Sequence, residues 1–259
     1  MSILLLQQLE YESIDLIIHS GFVIDPLNKI HDICDVIVSN GRIVDIVAQS
    51  TSQQRSKAKK LFDATDKIVT PGLIDLHAHV YQHATPLGVD PDRTCLSRGV
   101  TTVVDAGSSG ASTFNGLREF IAKKSNTRVL SFIHITMHGL ASSGCSGFGK
   151  GGELDSLNQV NEEWARRCLR ENSDMVVGVK IRLSADCADG GKNEIEAFKR
   201  ARSVTTKENK PLMVHHTFSS IPHEGLNGAL GGLNSGDIYT HCMHGFPSTI
   251  IRSTNNNTG

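Results

Sequence analysis

The chain has 259 residues, 26 Lys+Arg against 27 Asp+Glu for a formal charge of −1, 39% hydrophobic residues and 24 glycines. Near-neutrality without a basic block excludes a phosphate-tracking surface, so nucleic acid is not an expected partner, and no stretch reaches the roughly 20 apolar residues that a bilayer-spanning helix needs, so no membrane association is expected. The first eight residues lack the basic flank and apolar length of a secretory signal, and the six cysteines (Cys34, Cys95, Cys145, Cys168, Cys187, Cys242) contain no Cys-x-x-Cys pair, which together suggest free thiols in a cytoplasmic protein.

Taken in chain order, the elements divide near residue 70. Upstream, β-branched runs at 14–19, 22–24, 35–38 and 43–47 are separated by Ser20-Gly21, Asp25-Pro26 and Asn40-Gly41, and the Asn-Gly pair is a strong hairpin signal. Residues 1–69 therefore read as a small antiparallel β module. The polar stretch 49–60 has no apolar periodicity and reads as a loop, an excursion expected to be poorly ordered. From Pro71 onward, apolar strands at 73–79, 101–106, 129–136, 175–182, 212–217 and 237–242 alternate with helical segments at 114–124, 156–171 and 193–206 and weaker ones at 91–98 and 225–233. That alternation signals βα units and a parallel sheet. Six units can be counted over residues 70–252, whereas a closed eightfold barrel needs eight units and about 250 residues. The fold class expected is α/β, an incomplete (β/α)8-type barrel behind a small N-terminal module, with 253–259 as a polar tail.

Strand ends carry the chemistry. The first barrel strand closes on His77-Ala78-His79, and alternation along a strand turns residues i and i+2 to the same face, so the two imidazoles can share a metal. In parallel α/β barrels the C-terminal strand ends face the active site. Lys180 interrupts the apolar strand Met175-Val176-Val177-Gly178-Val179-Lys180-Ile181. One reading pairs it with a carboxylate; the other has it react with carbon dioxide, which turns a buried cation into a carbamate anion that can bridge two metals. His215 ends the fifth strand with His216 on the opposite face, and His241 ends the sixth with His244 three residues on; one histidine of each pair is sufficient as a ligand. Arg182, two residues past Lys180, suits either a substrate carboxylate or a salt bridge at the rim. The loop 139–152 is glycine-rich and suits a lid, but it lacks phosphate-loop spacing, because Gly151 follows Lys150.

The order His-x-His, Lys, His, His on strands 1, 4, 5 and 6 resembles the binuclear amidohydrolase superfamily, which joins a (β/α)8 barrel to a small β-sandwich. The segments Gly99-Val100-Thr101-Thr102-Val103-Val104-Asp105-Ala106-Gly107-Ser108, Val177-Gly178-Val179-Lys180-Ile181-Arg182 and Gly236-Asp237-Ile238-Tyr239-Thr240-His241-Cys242 resemble its deacetylase branch. The resemblance runs from about residue 14 to about residue 245. It implies a β-sandwich for residues 1–69 and two divalent metals, expected to be Zn²⁺: His77 and His79 on one, His215 and His241 on the other, and a carbamate on Lys180 bridging them. It further implies a hydroxide between the metals as nucleophile, hydrolysis of an amide or ester bond, and a small acetylated substrate, with a cyclic amide of the dihydroorotase kind as the alternative. A homo-oligomer is compatible with it. Members also carry an aspartate at the end of strand 8 that shuttles the proton; the last Asp here is Asp237, at the start of strand 6. No catalytic residue is thereby identified, and the sequence-level alternative is a catalytically impaired metal-binding fragment with open sheet edges.

Overall fold

The computed structural model describes residues 13–141, 151–222, 229–245 and 250. Their contacts fall into two compact units, Met1–Gly72 and Leu73–Gly259.

The first unit is one five-stranded sheet. Strands β1 (Leu16–Asp25), β2 (Ile30–Ser39) and β3 (Arg42–Val47) pair antiparallel, and β4 (Leu61–Asp63) and β5 (Ile68–Val69) both pair parallel with β1. The module is thus mixed rather than antiparallel, and the runs 14–19 and 22–24 join into a single strand. Ser20-Gly21 does not break it: the register slips between Ile18 and Gly21, a bulge that absorbs the turn signal within the pairing. The β2–β3 hairpin turns where the Asn-Gly pair put it, with Asn40 at φ 51° and Gly41 at φ 70°. The polar stretch 49–60, expected as a loop, instead holds helix α1 (Ser52–Lys57). Thr51 accepts from Gln54 N while Gln54 Oε1 accepts from Thr51 N, a reciprocal cap that stabilises an exposed helix without any buried face.

The second unit is a curled, all-parallel sheet of six strands in sequence order: β6 (Leu73–Ala78), β7 (Val100–Gly110), β8 (Arg128–His134), β9 (Val176–Leu183), β10 (Leu212–His216) and β11 (Ile238–Thr240). It is an incomplete barrel of the kind that the alternation of strands and helices predicts. The central strands are covered on both faces, which is why β9 reads as an almost unbroken apolar run. Edge strand β6 differs: Leu73, Ile74 and Leu76 are each more than half exposed.

Between the strands run α2 (Pro91–Thr94), then α3 (Phe114–Gly116) continuing through a π turn and a 3-10 turn to Lys124, α4 (Glu162–Glu171) and α5 (Glu194–Glu208). Helix α4 shows why such segments form: Asn161 caps it by accepting from Trp164 N, Glu162 and Glu163 complement its N-terminal dipole, and Ala165, Cys168 and Leu169 recur on its buried stripe. Arg166 and Arg170 both reach Glu208, tying α4 to α5. Of the weaker helical segment 225–233, a 3-10 turn at Leu230–Gly232 is seen and 223–228 lie outside the described residues. The tail 253–259 and positions 142–150 of the glycine-rich loop also lie outside them. No helix among the described residues is long and apolar enough to cross a membrane.

Asp92, at the start of α2, accepts from the backbone and side chains of Asn126 and Thr127, fixing the turn into β8. Those bonds hold its carboxyl below the ordinary value of 3.8. Asp92→Ala is expected to destabilise the chain by about 1 kcal/mol. Because the folded pKa is depressed, that contribution is complete above pH 3.8 and lost as the pH falls through the folded value, so urea midpoints of variant and wild type should converge on acidification from pH 6.

Candidate metal centre

Parallel strands deliver their C-terminal ends to one rim, and here four of those ends supply the predicted donors. His77 lies on β6 with His79 just beyond it, Lys180 on β9, His215 on β10, and His241 directly after β11. The curl of the sheet brings its two edge strands together across the mouth: the ring centroids of His77 and His241 are 4.7 Å apart, and those of His215 and His241 4.4 Å. His77 and His79 stand 5.5 Å apart. His241 adopts φ 59°, a left-handed conformation uncommon for a non-glycine residue, as the chain leaves β11.

Both open pairs are resolved by orientation. His215 faces the cavity, while strand alternation sends His216 to the other side, where its Nε2 donates to the Ile221 carbonyl 2.8 Å away. At the sixth strand, His241 rather than His244 lines the cavity.

A hydroxyl fixes one nitrogen of each of three rings. His77 Nδ1 lies 2.8 Å from Thr240 Oγ1, His79 Nδ1 2.9 Å from Ser108 Oγ, and His215 Nε2 2.9 Å from Thr217 Oγ1. Each contact leaves the opposite nitrogen for another partner, the arrangement in which metal-bound imidazoles are held. Burial, reinforced by the charge of Lys180, lowers the pKa of His77 and of His79 to about 3 and depresses those of His215 and His241. All four are therefore neutral at pH 7, the form that coordinates a metal.

Lys180 is 2% exposed, and its Nζ meets His77 Nε2 at 3.4 Å and Met213 Sδ at 3.5 Å. Among the described residues no carboxylate lies within ion-pair distance of it, so the carboxylate-paired reading does not describe this lysine. Loss of water drives its pKa to about 7, against a partial opposing pull from Asp105. Room for the side chain depends on Gly107, where φ is +85° and a Cβ would sit 2.6 Å from Lys180 Cβ.

The donors fit zinc in kind, being neutral imidazoles beside a lysine able to become an anion. They are not preassembled: among the described residues no three His, Cys, Asp or Glu side chains converge as an ion cage, and the rings pack edge to face instead. Arg182 adopts the rim salt bridge that its sequence position allowed. Its Nε and Nη2 reach the two carboxylate oxygens of fully buried Glu153 at 2.5 and 3.0 Å.

The strand-end motifs did not reveal three contributors. Asp105, fully buried on β7, accepts from Val80 N and Ser108 N at 2.9 and 2.7 Å and so braces both His79 and the serine that orients it; the signal was a lone carboxylate inside Thr101-Thr102-Val103-Val104-Asp105-Ala106. His134, at the end of β8, was visible as one more strand-end histidine. Glu153 follows no strand and carried no signal. Together with Leu87 and Leu140, the predicted histidines, Lys180, His134 and Arg182 line a cavity of about 520 Å³.

No family model matches the chain. It is 30% identical over 206 residues to a deacetylase of Agrobacterium fabrum, a match covering 80% of this chain and 48% of that protein. Solved structures of a dihydroorotase and of an adenine deaminase superpose with TM-scores of 0.76 and 0.77 at 26% and 27% identity. They cover 90% and 92% of this chain, and 58% and 59% of their own chains. The chain spans about half the length of the curated relatives that it matches.

Asp105→Ala strands two buried backbone N–H groups, which should cost about 1–3 kcal/mol in chemical unfolding. Loosening His79 should also weaken divalent-metal affinity by at least about 10-fold, the scale on which supporting residues act, as read by competition with a chelating dye.

Proposed function

The chain belongs to the amidohydrolase superfamily, and on that footing we propose that it is the metal-binding portion of a deacetylase that hydrolyses an amide or ester bond in a small acetylated molecule. Lys180, buried beside the four neutral histidines and with no carboxylate among the described residues within ion-pair distance, is the observation that carries this reading. His77 and His79 would hold one zinc ion, His215 and His241 a second, and Lys180 would bridge them as a carbamate. With its pKa near 7, Nζ is neutral often enough to attack carbon dioxide: a C–N bond forms as one C=O π bond opens, one proton leaves nitrogen for water, and the neutral amine becomes a carbamate anion. Two zinc ions would supply Lewis acidity and a water acidified to near neutrality.

The chain's own residues would position the metal ligands. Thr240, Ser108 and Thr217 orient the imidazoles, Asp105 anchors His79, and Leu87 and Leu140 line the cavity beside the polar groups. The dihydroorotase likeness over 90% of the chain favours, as a second reading, a cyclic amide as substrate. Among the described residues Cys34, Cys95, Cys168 and Cys187 are free thiols, which supports a reducing, cytoplasmic setting.

In bicarbonate buffer the chain is expected to bind two zinc equivalents and to show a ¹³C carbamate resonance when ¹³C-bicarbonate is supplied. Lys180→Ala should abolish the resonance and hold at most one zinc. Retention of both ions by that variant would refute the bridging role.

A further inference from the structure

His215 is held by more than the hydroxyl beside it. Burial keeps its ring neutral, so one nitrogen carries a hydrogen and the other a lone pair, and only the lone pair binds a metal. Nε2 lies 2.9 Å from Thr217 Oγ1, a contact in which either group could be the donor. Groups further along the rim decide which of them is.

Ser184 directly follows β9 and Thr217 directly follows β10. Two backbone bonds join the loops that they open: Thr217 N donates to the Leu183 carbonyl at 3.2 Å, and Ala185 N to the Phe218 carbonyl at 2.6 Å. The hydroxyls of Thr217 and buried Ser184 are thereby brought to 3.3 Å, and Ser184 Oγ reaches Asp186 Oδ1 at 2.5 Å.

A hydroxyl has one hydrogen to give, and an ionised carboxylate has none. At the Asp186 end the shared hydrogen therefore comes from Ser184. Ser184 Oγ then faces Thr217 as an acceptor, and the Thr217 hydrogen fills that contact; turned the other way, it would leave two oxygens facing each other with no hydrogen between them. Thr217 Oγ1 in turn accepts from Nε2–H of His215, and the lone pair is left on Nδ1. The hydrogens run in one direction from ring to carboxylate, and bonds aligned in this way polarise one another.

We propose that Asp186 is a positioning residue for His215, acting through Ser184 and Thr217 to keep the hydrogen on Nε2 and Nδ1 open to a metal. Its side chain is exposed on the 3-10 turn Ala185–Cys187, two hydroxyls away from the ring. The demand of the carboxylate for a hydrogen reaches the imidazole, while its charge is held at a distance. Nothing in the order Ser184-Ala185-Asp186 signals this, because the relay closes only where two rim loops meet.

The relay serves the metal site of the hydrolase reading, so ring and metal are read separately. In the metal-free chain labelled with ¹⁵N-histidine, the ring ¹⁵N resonances of His215, assigned by their loss in His215→Gln, should report the hydrogen on Nε2 at neutral pH. Asp186→Asn, whose amide can donate to Ser184 and reverse the run, and Ser184→Ala, which interrupts it with the charge of Asp186 in place, should each populate the Nδ1–H form. Both should also weaken the binding of one of the two zinc ions by about tenfold in competition with a chelating dye, and Asp186→Glu should restore the wild-type tautomer. A merely structural role would lower urea midpoints and leave the ring spectrum as in the wild type. Hydrogen on Nδ1 of the wild-type ring, or a wild-type ring spectrum in both Asp186→Asn and Ser184→Ala, overturns the relay. Failure of the wild type to take up zinc overturns the hydrolase reading instead, and the ring spectrum of the metal-free chain still decides the relay.

Discussion

A lysine buried in the middle of a parallel sheet, with no carboxylate among the described residues at ion-pair distance, is the constraint around which the rest of this rim is arranged. Lys180 is surrounded by strand ends rather than by water, so its charge is disfavoured and in turn disfavours charge on each imidazole nearby. The histidines answer by staying neutral, which keeps their lone pairs available. Glycine at position 107 is part of the same constraint, because a side chain there would occupy the space that the lysine stem needs.

Neutral imidazoles are useful only if they point the right way, and hydroxyls rather than carboxylates set the direction. Thr240, Ser108 and Thr217 each take one ring nitrogen, and Ser108 is itself braced by Asp105. A carboxylate in that supporting position would add negative charge beside the site; a hydroxyl adds orientation without charge. The carboxylate that braces Ser108, Asp105, is fully buried and spends its oxygens on backbone N–H groups. Charge is compensated elsewhere on the rim by the Arg182–Glu153 pair, which holds the guanidinium in a fixed place on the cavity wall.

The six strands bring these side chains together because the sheet curls. The edge strands β6 and β11 are 163 positions apart at His77 and Thr240, yet those side chains are in hydrogen-bond contact. Twist accumulated over six parallel strands brings them there. The described strands form this side of the mouth, and His241 turns into it in a left-handed conformation just after β11.

Alternation and periodicity made much of this legible in the sequence. The six strands, the Asn40-Gly41 hairpin and the main helices follow from local patterns, and the placing of His77, His79, Lys180, His215 and His241 at one rim follows from strand ends sharing a direction. Where local and tertiary signals compete, the pattern misleads: residues 49–60 lack an apolar stripe and still form a helix, because a capping box acts without burial; Ser20-Gly21 carries a turn signal and is absorbed as a bulge. What the amino-acid order by itself determined is which side chains can chelate and which rim they occupy. Only the tertiary structure decided that, among the described residues, Lys180 has no ion-pair partner and His134 Nε2 no hydrogen-bond partner, that Arg182 is bound by Glu153, and that Asp105 braces His79. Those are facts of burial and of contact between distant segments, and no local spacing encodes them.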